Sequence, residues 1–184
     1  MGTKTPGNHL LWMDIGIGHI QDELGYLSAR LLKLAQRRGL EIITVESCTG
    51  GLLSSYLTDV EGLSHVFNRA LITYCDEAKT DLAHVPAKLI DEHGAVSEAV
   101  AQAMACGGRN LVSKDCIAIA VTGYAGSSPD GGTPGLVYIA VSTPYAVQCQ
   151  RFQFTEDCRD DIRRAAVREA LKMGLHLLAD DPHY

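Results

Sequence analysis

Apolar residues recur at helical spacing in two long segments of the chain, one near its start and one near its end. The first covers residues 24–39 and finishes with Arg37, Arg38 and Gly39. Cationic side chains and a following glycine are typical of the last turn of a helix. The second covers residues 159–178. Both segments are therefore predicted to be helices, the first of them clearly amphipathic.

Between these helices, runs of β-branched and apolar residues predict the strands of a sheet. The runs cover residues 41–45, 66–74, 116–121, 136–142 and 145–154. The run 116–121 is almost wholly apolar, which is typical of a strand that is buried on both faces. The last two runs are separated by Thr143 and Pro144, so they predict an antiparallel pair.

Helical segments also lie between the predicted strands, at residues 52–57, at residues 77–83 and after Ser97, a predicted N-cap. Helices that alternate with strands, followed by a late hairpin, predict a single α/β domain. Its expected architecture is a three-layer α/β/α sandwich with a mixed, mostly parallel sheet. We assign residues 23–184 to this domain and residues 1–22, which show no sustained periodicity, to an N-terminal arm.

Composition fits one globular domain and narrows the classes of function. Of the 184 residues, 46% are hydrophobic and 21% are charged, which excludes a disordered or low-complexity chain. The formal charge of -6 argues against non-specific binding to nucleic acids or membrane surfaces. The chain has no apolar stretch of membrane-spanning length and no signal-peptide pattern at its N-terminus. We therefore expect a cytoplasmic protein that binds neither nucleic acid nor membrane.

The six cysteines are scattered along the chain, without a C-x-x-C pair and without histidines at zinc spacing. This pattern predicts free thiols rather than disulfides. It also gives no reason to expect a metal or another cofactor.

Ser47 lies where an apolar strand gives way to a helix. A hydroxyl at that point suits a nucleophile or an anion site, because helix-start N–H groups are near and Gly50 and Gly51 leave the backbone accessible. The alternative is an ordinary helix N-cap followed by packing glycines. The segment around Ser47 lacks the lysine of a P-loop and the first glycine of a nucleophile elbow.

The Gly-rich segment 122–126, directly after the buried strand, is a second candidate for ligand contacts.

Four blocks of sequence resemble the C-terminal domain of the CinA family, in the same order and at matching spacing. They are residues 45–51, 73–79, 93–97 and 122–126. The resemblance covers about residues 24–178. It implies a stand-alone amidohydrolase that converts nicotinamide mononucleotide (NMN) to nicotinate mononucleotide and ammonia, a deamidase of pyridine nucleotide salvage. The implied partner is a small-molecule pyridine mononucleotide, and we further expect a homo-oligomer.

The resemblance also implies catalytic residues. Ser47 is the expected nucleophile and Lys79 the base in a Ser-Lys arrangement. Tyr74 is expected to orient Lys79 or to contact the substrate, and Thr122 to bond the serine, the amide or the ribose. From the residues alone, a solvated helix lysine near Glu77 is the favoured interpretation of Lys79. A buried strand-end tyrosine and a turn threonine are equally plausible interpretations of Tyr74 and Thr122.

Substrate-binding residues follow from the same blocks. We expect contacts from Thr49, Gly50 and Gly51 after the serine and from Gly123 and Gly126 in the Gly-rich segment. Arg159 and Arg163 match arginines at the start of the family's last helix and are expected to hold the phosphate. Solvated helix-start arginines are the alternative.

The chain departs from the family pattern at several of these positions. Cys75-Asp76 stands where the family usually has Ser-Asn, and an aspartate there is expected to raise the pKa of Lys79. Tyr124 replaces a usual isoleucine, the segment 127–135 is short, and Cys158 precedes Arg159 where the family usually has Gly-Asp-Arg. These departures leave a catalytically silent nucleotide-binding or assembly module as the alternative function.

Cys48, beside Ser47, is a rival nucleophile without a partner histidine, and we interpret it as a small buried residue.

Overall fold

The computed structural model describes residues 23–112, 115–127 and 131–180. The predicted N-terminal arm, residues 1–22, lies outside the described residues. The helices are α1 (Glu23–Arg38), α2 (Leu52–Thr58), α3 (Asp76–Ala83), α4 (Ala87–His93), α5 (Glu98–Asn110) and α6 (Arg159–Asp180). The strands are β1 (Glu41–Glu46), β2 (Phe67–Ile72), β3 (Cys116–Gly123), β4 (Leu136–Ser142) and β5 (Val147–Gln153).

The strands form one sheet in the order β2-β1-β3-β4-β5. β1 is parallel to β2 and to β3, whereas β4 is antiparallel to both of its neighbours, β3 and β5. Every strand except β4 therefore points the same way. The prediction of a mixed, mostly parallel sheet is confirmed.

Two apolar clusters cover the two faces of this sheet. Alternation along β1 divides its side chains between them: Ile42 packs in the cluster that holds α1, α2 and α6, and Ile43 in the cluster that holds α3, α4 and α5. β3 alternates in the same way, with isoleucines facing the first cluster and alanines the second. The chain is thus a three-layer α/β/α sandwich, as predicted.

Two elements differ from the sequence prediction. α4 is not among the helices predicted from the sequence, since Pro86 and Gly94 are also typical of loops. In the structure Pro86 is its N-cap and Gly94, at φ 77°, its C-cap. β3 continues through Thr122 and Gly123, which pair with Tyr138 and Val137 of β4. Part of the predicted Gly-rich loop is therefore strand.

Among the described residues, no helix combines the length and apolarity needed to span a bilayer.

Candidate active site

A cavity of about 310 Å³ opens at the carboxyl ends of the parallel strands. The residues that follow β1 and β2, the end of β3, and the first residues of α3 and α6 contribute to its wall. This edge of the sheet is the usual location of ligand sites in α/β proteins. The predicted site residues that line the cavity are Ser47, Tyr74, Lys79, Thr122, Gly123, Gly126 and Arg159.

Ser47 is held at the floor of this cavity by backbone hydrogen bonds. Its N–H donates to the Val121 carbonyl at 2.9 Å, and its carbonyl accepts from the Gly50 N–H at 3.1 Å. Only 7% of the residue is exposed. Ser47 does not cap a helix, because α2 begins at Leu52 and its N-cap is Gly51. The interpretation of Ser47 as an ordinary N-cap is therefore wrong.

The N-terminal amides of α2 are occupied by a side chain of the protein itself. The buried Glu46 carboxylate accepts hydrogen bonds from the N–H groups of Gly51, Leu53 and Ser54, at 3.0, 3.1 and 2.9 Å. An anion at this position is favoured by the helix dipole. The expectation that these helix-start amides would hold a substrate anion is thus corrected. Sequence reasoning gave Glu46 no role, although an acidic residue shortly before a Gly-Gly helix start was the available signal.

Replacing Glu46 by glutamine should destabilise the fold through this contact. A glutamine side chain has a single oxygen, which can accept from only some of these three N–H groups. Its NH₂ group would face the remaining N–H donor. We expect a loss of about 2 kcal/mol in unfolding free energy, together with a lower kcat, because the turn that carries Ser47 loses its anchor. Thermal unfolding checks this, with the exposed Glu61→Gln as the matched control. A Glu46→Gln protein as stable as the Glu61→Gln protein would contradict the role of the contact.

Lys79 reaches Ser47 from the first turn of α3, and its residue is only 1% exposed. Its Nζ lies 3.5 Å from Ser47 Oγ. The same nitrogen donates to the carbonyls of Thr73 at 3.1 Å and Tyr74 at 3.5 Å. Thr73 is fixed in turn, because its N–H donates to the Glu46 carbonyl at 2.7 Å. The reading of Lys79 as a solvated helix lysine is therefore wrong.

Burial lowers the pKa of Lys79 below the ordinary value of a lysine. The Asp76 carboxylate, 3.8 Å from Nζ, acts in the opposite direction and raises this pKa, as expected from the sequence. The effect of burial is the larger one. Deprotonation of Lys79 is thus easier than for a lysine in water, in spite of the aspartate.

Tyr74 contributes two different groups to the site. Its backbone carbonyl orients Lys79, while its side chain is 62% exposed at the cavity and its Oη accepts a hydrogen bond from Arg159 Nη2 at 3.1 Å. Arg163, one turn further along α6, donates to the Thr49 carbonyl at 2.6 Å and lies 3.8 Å from an Asp160 oxygen. Of the two predicted phosphate ligands, only Arg159 is brought to the cavity.

The predicted binding residues divide into two groups. Thr122 lines the cavity and its Oγ1 donates to the Ala95 carbonyl at 2.8 Å, so toward a ligand this hydroxyl can only accept. Gly126 also lines the cavity, next to Arg159. The structure does not bring Thr49, Gly50 or Gly51 to the cavity wall, and their contacts with a substrate stay predictions.

The cysteines agree with the expectation of free thiols, since all six are unpaired. Burial raises the pKa of Cys48 to about 12, so this neighbour of Ser47 stays protonated and is a poor nucleophile. Cys75 Sγ accepts the Ala78 N–H and caps α3. Over the part of the chain that the structure describes, no group of three potential metal ligands is found.

The sequence model of the CinA C-terminal domain matches residues 25–178. This chain belongs to the CinA family. It is 45% identical to a CinA-like protein of Citrifermentans bemidjiense over 146 residues, 77% of this chain and 34% of that protein. The CinA-family chain thus spans about a third of the length of the curated relatives that it matches.

Solved structures of the CinA superfamily share the fold. A competence-damaged protein (CinA) superfamily protein from Klebsiella pneumoniae superposes with a TM-score of 0.81 at 34% identity, over 89% of this chain and 100% of the other. A competence/damage-inducible protein from Agrobacterium tumefaciens gives a TM-score of 0.80 at 34% identity, over 88% and 99% of the two chains. The sequence resemblance to this family is confirmed.

Proposed function

We propose that this CinA-family chain hydrolyses the carboxamide of nicotinamide mononucleotide, giving nicotinate mononucleotide and ammonia. The observation that carries the proposal is the buried Lys79 Nζ, 3.5 Å from Ser47 Oγ on a cavity that also presents the Arg159 guanidinium. A serine beside a lysine of lowered pKa is the pairing that a Ser-Lys hydrolase requires.

Acylation begins with Lys79 in its neutral form. In this form its two N–H bonds suffice for the carbonyls of Thr73 and Tyr74, which leaves the nitrogen lone pair for the Ser47 hydroxyl. Lys79 takes the hydroxyl proton while Oγ attacks the amide carbon. The Cys48 N–H directly follows the nucleophile, a position from which hydrolases commonly donate to the oxyanion. The protonated Lys79 then gives its proton to the leaving nitrogen, and ammonia departs from a Ser47 ester.

Deacylation repeats the same proton transfers with water as the nucleophile. Lys79, neutral again, takes a proton from water as the water oxygen attacks the ester carbon. Collapse of the intermediate returns that proton to Ser47 Oγ and releases the carboxylic acid, which loses its remaining proton to solvent and becomes the carboxylate. Because the Thr122 hydroxyl proton is committed to Ala95, its oxygen is suited to accept from the substrate NH₂ group and to orient the amide.

Arg159 is the group that we assign to the phosphate. Its guanidinium stands beside the exposed Tyr74 ring and near Gly126, on the solvent side of the Ser47–Lys79 pair. A guanidinium binds phosphate through charge-assisted, bidentate hydrogen bonds. The amide and the phosphate of one mononucleotide would then occupy the inner and the outer part of a single cavity.

Ammonia release by the purified chain tests the proposal. NMN should yield equimolar ammonia and nicotinate mononucleotide, whereas nicotinamide and asparagine, which lack the phosphate, should react far more slowly. No ammonia from NMN over a broad pH range would contradict the activity. Tight NMN binding without turnover would favour the second candidate, a silent mononucleotide-binding module, which Asp76 favours because it stabilises the protonated lysine. Cytoplasmic location and homo-oligomeric assembly stay predictions from the sequence.

A further inference from the structure

Asp76 places a carboxylate on the cavity wall beside the groups that we assign to catalysis. It is the first residue of α3, one turn before Lys79, and its Oδ1 lies 3.8 Å from Lys79 Nζ. Its side chain is 59% exposed, so the carboxylate also faces the space in which a ligand would lie. The proposed amide hydrolysis gives this group no part, and its effect on the pKa of Lys79 opposes the reaction.

The charged groups of the cavity have a definite order. Among the described residues that line it, the acidic and basic side chains are those of Asp76, Lys79 and Arg159. Once Lys79 is neutral, a carboxylate remains next to the reacting amide and a guanidinium remains further out, at the Tyr74 hydroxyl. A ligand that complements this order has a positive charge close to its amide and a negative charge at a distance from it.

Aromatic rings accompany the carboxylate. Tyr74 and Tyr124 both line the cavity. Gly132 packs against the Tyr124 ring so closely that a Cβ on it would be 2.2 Å from Tyr124 Cζ. The electron-rich face of a tyrosine attracts a cation, and a planar cation can also stack on it.

We propose that Asp76 is a specificity-determining residue, which makes the site prefer a carboxamide carried on a cationic aromatic ring over one on a neutral ring of the same shape. This inference rests on the proposed function, in which the carbonyl carbon meets Ser47 Oγ. Asp76 Oδ1 lies 3.8 Å from a nitrogen that is itself 3.5 Å from Ser47 Oγ. The ring is bonded directly to the carbonyl carbon, so its positive charge lies on the same wall of the cavity as Asp76. At such distances opposite charges attract appreciably even when solvent screens them.

Two substrates of one shape and different ring charge test the inference. NMN has a cationic pyridinium ring, and its 1,4-dihydro form has a neutral ring with the same carboxamide, ribose and phosphate. The ratio of their kcat/KM values is measured for the wild type and for Asp76→Asn at one pH. Because both substrates meet the same Lys79 in each protein, the change of this ratio is independent of the lysine pKa. We expect Asp76→Asn to reduce the preference for the cationic ring roughly four- to fifteenfold.

Asp81→Asn is the matched control, since it removes the same charge from an exposed position of the same helix, away from the cavity. It should leave the ratio unchanged. An Asp76→Asn ratio equal to that of the wild type would overturn the inference and leave the proposed function intact. If the wild type hydrolyses neither substrate, the proposed function fails, and the same ratio is taken from the two dissociation constants. A cationic preference in binding that Asp76→Asn removes would still support the inference, and its absence would overturn it.

Discussion

Replacing Ser47 by alanine should lower kcat for ammonia release by about 10⁴-fold or more, because the covalent route closes when the attacking oxygen is lost. Cys48 cannot take over as the nucleophile, since burial raises the pKa of its thiol to about 12. The fold should survive the change. Ser47 is held through its backbone N–H and carbonyl, which alanine keeps, so the unfolding free energy should change by less than about 1 kcal/mol.

The comparison for this variant is Ser55→Ala, which removes a hydroxyl from an exposed position of α2. Steady-state ammonia release and thermal unfolding are measured on both proteins and on the wild type. Ser55→Ala should match the wild type in both. A Ser47→Ala protein with near-normal kcat would show that another group, or water directly, attacks the amide.

Lys79→Met should lose turnover to a similar extent, about 10⁴-fold, and at every pH, because Lys79 Nζ is the base that the described residues place beside the Ser47 hydroxyl. Methionine is a straight chain that fits the buried site, and it removes the cost of burying an amine. Methionine cannot donate to the Thr73 and Tyr74 carbonyls, and this loss offsets the gain, so the unfolding free energy should change by no more than about 2 kcal/mol. Lys79→Arg should be as inactive as Lys79→Met, because a guanidinium stays charged and cannot act as a base.

The arginine variant separates two roles that one substitution cannot distinguish. If Lys79 served only as a fixed positive charge, Lys79→Arg would keep a large part of the activity. Lys88→Met, at an exposed lysine whose side chain is 85% accessible, is the control and should keep wild-type kcat and KM. Substantial turnover by Lys79→Arg would contradict the assignment of Lys79 as the base.

The layers and most elements of this fold could be predicted from local patterns. The apolar periodicity of α1 predicts a helix, and the short, continuous apolar run of β3, which leads into a Gly-rich segment, predicts a strand buried on both faces. The helix α4 could not be predicted in this way. It is a seven-residue helix between Pro86 and Gly94, and both residues mark loops as well as helix ends. The order of the strands also depends on contacts between distant segments.

The site was predictable from the family's motifs, whereas its energetics depended on packing. The sequence places Lys79 on a helix beside acidic residues, which is typical of a solvated lysine. Its contacts with Ser47, directly after β1, and with the segment after β2 bury it. Arg159 and Arg163 are one turn apart and look equivalent in the sequence. They differ because the Thr49 carbonyl, which arrives from another part of the chain, binds the second guanidinium. Glu46 differs from both, since its partners lie only five to eight residues further along the chain and a local signal for its role was present in the sequence.

The pH dependence of kcat/KM in the wild type and in Asp76→Asn tests the central claim, a neutral Lys79 as base for Ser47, most directly. Only the neutral amine can take the proton, so the rate should fall about tenfold per pH unit below the lysine pKa. Burial lowers that pKa, so the acid limb should lie below the ordinary range of a lysine. Asp76 raises it, so Asp76→Asn should move the limb to lower pH while Asp81→Asn leaves it in place. An acid limb at the same pH in the wild type and Asp76→Asn would contradict the account.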